Sequence, residues 1–278
     1  MAIGDGQTRY TLGDNQLAGD RLAILARVFG PASEALLRRG APAAGAPGLA
    51  VDLGCGPGHT TRMIARTLAP TETVGLDASA TFVARAAEES VADEAAHGPL
   101  PGIVRFVHHD VTQLPWPVPR ADLVFARYLL AHLPAPASVV ASWGTGLAAG
   151  GRLLLDEVER IDVEVPAFAT YLEVSGEMIR AQGAELYVGQ ALRDLGPVDG
   201  LELVESSTAT IAPTVDEVAR LFAMNLATWR HDPWVVEHVD HEIIATLAAD
   251  LDALHADERR GEIVWTHRQL VLERPGSR

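Results

Sequence analysis

Apolar positions along this chain keep a helical rhythm first and then break into short buried runs. Leu17, Leu22, Leu25, Val28 and Phe29 recur near one face at helical spacing, which predicts a helix within 16–39. The stretch GAPAAGAPG at 40–48 reads as a linker. The continuous apolar run 49–53 predicts a buried strand, and 60–68 a helix with Thr60 or Thr61 free to cap it. Strands are expected at 73–76, 103–107, 122–126 and 152–158, with helices at 79–96, capped by Ser79, and at 135–147. Alternation of this kind builds a doubly wound α/β fold with a mostly parallel sheet. The last third reads as helix over 168–193, strand over 201–211, helices over 215–230 and 241–254, and a final strand over 262–272. The expected strands thus number seven. Helical insertions at about 166–195 and 214–258 exceed a minimal nucleotide-binding sheet. With the N-terminal segment 1–48 they are expected to form a lid over the carboxyl edge of a Rossmann-like domain spanning 49–278.

The strongest chemical signal is VDLGCGPGHT, which follows an apolar strand and opens a helix. Glycines at 54, 56 and 58 permit a tight turn and let the backbone approach a ligand with no Cβ in between. The spacing GxGxG directly after Asp52 differs from the GxGxxG of dinucleotide enzymes. Asp77 ends the second strand, where a carboxylate can accept from ribose hydroxyls, and Asp110 ends the third, where it can take an exocyclic amine. Each acid alone could cap a helix. Three at successive strand ends on one sheet edge point to a ligand, because open α/β sheets bind ligands there.

Composition narrows the partners. The net charge is −15, all 22 basic residues are arginine, and no basic stripe interrupts the acidity, which disfavours nucleic acid. The single cysteine, Cys55, forms no internal disulfide, so a reducing cytoplasm is the expected compartment. No run approaches a membrane span, and no membrane partner or metal is expected. Cys55 and His59 hold variable loop positions from which no chemistry is expected.

The segments VDLGCGPG, VGLDAS, HHDVTQLP, ADLVFARYLLAHL and GGRLLLDE, in that order and spacing, resemble the successive motifs of class I S-adenosylmethionine-dependent methyltransferases. The likeness is to the ubiquinone- and menaquinone-type and bacterial small-molecule group, and it covers roughly 49–160. YTLGDNQLAGDRL is similar to that group's entry helix, and VWTHRQLVLER to its last, antiparallel strand. The resemblance implies S-adenosylmethionine as cofactor and S-adenosylhomocysteine as product. Gly54, Gly56 and Gly58 would then line the methionine and ribose part, with Asp52 near the amino group and Asp77 on the ribose. Ala78, Asp110 and Val111 would meet the adenine, the Arg127 backbone the methionine moiety, and Tyr10 would close over the cofactor.

Methyl transfer needs alignment first, and a base only where the nucleophile must lose a proton. His132, after the fourth strand, and Glu157, at the end of the fifth, are the candidate bases, although each could merely fix a loop. Tyr171, Met178, Phe222, Met224 and Trp229 are candidates for the substrate pocket, although their helical spacing also suits lid core. The expected activity is O-methylation of a small molecule in bacterial secondary metabolism, with a homodimer left open. C-methylation, or a cofactor-binding relative with a non-methylating job, stays as an alternative. A nicotinamide dehydrogenase leaves Asp110 unexplained.

Overall fold

A computed structural model describes residues 16–43 and 45–276. Its centre is a seven-stranded sheet in the order β3-β2-β1-β4-β5-β7-β6. The strands are β1 (Leu49–Leu53), β2 (Glu72–Asp77), β3 (Ile103–His108), β4 (Ala121–Arg127), β5 (Leu147–Val163), β6 (Glu202–Ile211) and β7 (Ile263–Glu273). β1 to β5 pair in parallel, while β7 runs antiparallel to both β5 and β6. Every residue of β1 is buried, as its unbroken apolar run requires of a central strand covered on both faces. The strand order reverses at β1 and β4, so the crevice for a ligand opens above their carboxyl ends.

The helices are α1 (Gln16–Gly40), α2 (His59–Leu68), α3 (Ala80–His97), α4 (Pro136–Gly144), α5 (Pro166–Ala181), α6 (Val188–Arg193), α7 (Val215–Trp229), α8 (Pro233–His238) and α9 (His241–Ala253). The C-terminal half of α1 packs Leu36 and Leu37 on one sheet face with Ile64, Leu123 and Phe125. Its N-terminal half places Ile24 and Phe29 in a second core with α5, α7, α8 and α9. One helix therefore belongs to both sheet and lid.

Three expectations are corrected. The helix expected over 168–193 is two, α5 and α6, because the chain turns at Gly183 with φ +78°. The fifth strand runs well past 158 to Val163, held by antiparallel pairing with β7. Thr60 and Thr61 do not cap α2. The N-cap is Gly58, without a side-chain bond, and both hydroxyls donate instead to Asp52 Oδ2 at 2.6 Å. Ser79 does cap α3, accepting from Phe82 N at 3.1 Å.

Candidate active site

The glycine loop leaves β1 with Gly54, Gly56 and Gly58 at φ +65°, +51° and +80°, a run only glycine adopts without strain. A Cβ on Gly54 would lie 2.9 Å from Leu129 Cδ1, and one on Gly56 3.4 Å from Leu22 Cδ1. The loop is thus covered by α1 and by the segment after β4. Asp77 Oδ2 accepts from Gly56 N and Oδ1 from Ser79 N, each at 2.8 Å, so the acid at the end of β2 is fixed against the loop. Burial pushes Asp52 up to about 6, against its bonds from Thr60 and Thr61 and the Arg127 charge. Cys55 is buried and its thiol is pushed well up by burial and by Asp52 and Asp77, which leaves it inert. The cradle of glycines and the strand-end acid fit a nucleoside-bearing cofactor.

The outer positions are less uniform. Ala78 is exposed and its carbonyl meets His108 Nε2 at 2.9 Å. Asp110 accepts from Thr112 N, Thr112 Oγ1 and Gln113 Nε2. Burial raises its carboxyl, but these bonds prevail and hold it below the usual range. The Val111 side chain is buried in a sheet-face core, and its carbonyl accepts the indole N–H groups of Trp116 and Trp143. Tyr10 lies outside the described residues.

Glu157 and His132 come together through one loop. Glu157 Oε1 accepts from Leu129 N at 2.8 Å and Leu130 N at 2.9 Å, at the start of the 3-10 turn Leu130–His132. Its Oε2 is buried without a hydrogen-bond partner. Burial pushes its carboxyl up to about 8, against the two backbone bonds. His132 is pushed down to about 4 by burial and then by the Arg21 charge.

The expected substrate residues divide. Tyr171 and Trp229 sit side by side in the lid, ring centroids 5.7 Å apart, and Tyr171 stacks on Phe222 at 3.7 Å. Met178 is fully buried lid core and Met224 packs at its flank. Beside them lie two polar residues that periodicity alone had passed over, Arg21 and Asn225, bonded at 3.1 Å. A second unforeseen group joins Tyr128, at φ +54° just after β4, to His267 Nε2 at 2.8 Å. His267 Nδ1 meets Asp156 Oδ1 at 3.0 Å, and Ser33 of α1 donates to Asp156 Oδ2 at 2.6 Å. The available signal was polarity inside apolar stripes. Arg21 falls between Leu17 and Leu25 on α1, Asn225 between Leu221 and Trp229 on α7, and His267 on the buried face of β7.

Among the described residues, no group of three or more His, Cys, Asp or Glu could hold a metal ion. None of their helices is long and apolar enough to cross a membrane.

Comparison with known proteins agrees with this geometry. Residues 51–155 match the methyltransferase domain family. A trans-aconitate 2-methyltransferase of Methylobacterium radiotolerans is 30% identical over 166 residues, covering 60% of this chain and 59% of the relative. The chain therefore aligns with little more than half of that relative's length. Among solved structures, phosphoethanolamine N-methyltransferase 2 of Haemonchus contortus superposes with a TM-score of 0.55 at 16% identity. That match covers 98% of this chain and 60% of the other. The 4+2 cyclase SpnF superposes with a TM-score of 0.50 at 20% identity, covering 99% and 85%. Residues 51–155 thus carry a match to a methyltransferase domain, and the whole chain shares its fold with solved methyltransferases.

Proposed function

We propose that the protein transfers the methyl group of S-adenosylmethionine to a carboxylate oxygen of a small organic acid, forming a methyl ester. When bound, the cofactor supplies a methyl carbon activated by its sulfonium, whose C–S pair stays on sulfur as the new O–C bond forms. Gly54, Gly56, Asp77 and Asp52 would hold it, and the chain's further task is to align the acceptor and exclude water.

The observation that carries this reading is Glu157. With its carboxyl pushed up to about 8 and Oε1 committed to the Leu129 and Leu130 amides, it is mostly protonated near neutral pH. In that state it fixes the loop and does not take a proton. His132, pushed down to about 4, is a neutral and weak base. An alcohol or carbon nucleophile gains from a base poised near the working pH, whereas a carboxylate arrives ionised and needs none. The relative named trans-aconitate 2-methyltransferase supports the same acceptor class. A cytoplasmic location and a role in bacterial small-molecule metabolism belong to this proposal.

Incubation with methyl-labelled cofactor and a panel of carboxylic acids, alcohols and phenols tests it. The expected result is base-labile label on acids alone, at a rate level with pH once the acid is ionised. Label on hydroxyl acceptors would sink it, and so would cofactor that stays intact with every acid.

A further inference from the structure

β6 is the outer strand of the sheet and pairs with β7, and among the described residues its other side has no neighbouring strand. An open edge offers a row of backbone N–H and C=O groups to any extended chain, and soluble proteins guard such edges with short strands, charges or proline. The opposite edge is guarded in this way, since β3 has six residues and carries Arg105 in its midst. β6 has ten residues, and its acids Glu202 and Glu205 both fall in its N-terminal half. Residues 206–215 carry no charge, in a chain whose net charge is −15. Leu203 and Val204 are 56% and 49% exposed, and Ser206, Thr208 and Thr210 are exposed beside them. At the far end of the strand the Arg260 guanidinium donates to Ala212 O at 3.0 Å. Glu202 and Arg260 are both exposed, and among the described residues neither forms an ion pair.

We propose that β6 pairs with β6 of a second copy of this chain, antiparallel across a twofold axis at Ser207, so that two sheets join into one. A strand laid antiparallel on itself presents the same patch from both sides, as a twofold interface requires. This register sets Leu203 opposite the partner's Ile211 and Ser206 opposite the partner's Thr208, and cross-strand pairs of these kinds stabilise a ladder. Charge selects the occupant. Two bodies of the same strong negative charge repel, and the uncharged run 206–215 is where they approach with least repulsion. The same register sets Glu202 opposite the partner's Ala212, the residue to which the Arg260 guanidinium is bonded. Each end of the joint ladder then gains an ion pair from two groups that lack one, whereas a foreign strand would have to supply an opposite charge at both ends. β7, β5 and β4 stand between β6 and the glycine loop after β1, so a change on β6 leaves the cofactor cradle untouched.

Analytical ultracentrifugation of the purified chain, from low to high micromolar concentration, tests this. The expected result is a concentration-dependent rise to twice the monomer mass. Thr208→Lys puts two added charges near the twofold axis and is expected to return the monomer mass, with melting temperature and calorimetric affinity for S-adenosylhomocysteine unchanged. Glu202→Arg and Arg260→Glu are each expected to weaken the dimer about tenfold, and the two together to restore it, because only the combination rebuilds opposite charges. Glu202→Arg also lowers the net negative charge, so general repulsion alone would strengthen the dimer, and weakening there reports the pair. If Thr208→Lys does not fold, the charge reversals decide, since both residues are exposed. A monomer at every concentration overturns the proposal, as does a dimer that a folded Thr208→Lys leaves whole. A double reversal that fails to restore the dimer overturns it too, and so does a mass raised by a different co-purifying chain.

Discussion

Asp156 and Glu157 are adjacent acids on one strand, and their protonation moves in opposite directions. At Asp156 burial raises the carboxyl, but the His267 and Ser33 bonds and nearby charges prevail and hold it below the usual range. It binds fewer protons folded than unfolded, so its stabilisation is full above its ordinary range and fades as pH falls through it. Glu157 binds more protons folded, so its stabilisation is full below its ordinary 4.5 and is lost as pH climbs through about 8. Melting temperature is therefore expected to fall in the wild type from about pH 5 to about pH 9, and to fall much less in Glu157→Gln. A thermal melt series across that range checks it, and parallel slopes would refute it. At the glycine loop, Asp77→Ala removes the acceptor for Gly56 N and is expected to weaken S-adenosylhomocysteine at least about tenfold by calorimetry. Position was legible in both acids, since each ends or nears the end of an apolar run. Protonation was not, because the loop 129–130 that buries Glu157 is remote in sequence.

Among the elements, α1 shows what periodicity conveys and what it misses. Its apolar stripe predicted the helix, but not that Leu36 and Leu37 belong to the sheet while Ile24 and Phe29 belong to the lid. The joint between the halves is Ser33, tied to Asp156 and through it to His267 and Tyr128. Phe29 stacks on the His267 ring at 5.2 Å and seals the joint. Removing one partner of a buried ionisable pair strands the other, at a cost of roughly 3–5 kcal/mol. His267→Ala is expected to lose about that much in urea denaturation, and a loss under about 1 kcal/mol would show that Asp156 finds another partner. The sequence signal was present as a histidine and a glutamine at alternate buried positions of β7. Alternation alone assigns such positions a face but not a partner, since the partners come from β5 and α1.

For the whole molecule, the order of strands and helices and the glycine turn over 49–160 were readable because their signals lie among near neighbours in sequence. The lid was not, because its core joins α1, α5, α7 and α9 across long separations, and its α5–α6 break depends on one left-handed glycine. β5 leaves its parallel partner at Asp156, and from there to Val163 it pairs only with β7. Ile161, Val163, Ile263 and Trp265 on that overhang enter the lid core, so the lid is rooted in the sheet. A single calorimetric unfolding transition is expected, and two separated peaks would show a lid that melts alone. The same overhang makes the base of the lid core a continuation of the sheet whose first strand ends in the glycine loop, while α5 and α7 close that core from the other side. A lid rooted in this way can exchange residues on two helices while its distance from the glycine loop is inherited unchanged from the sheet.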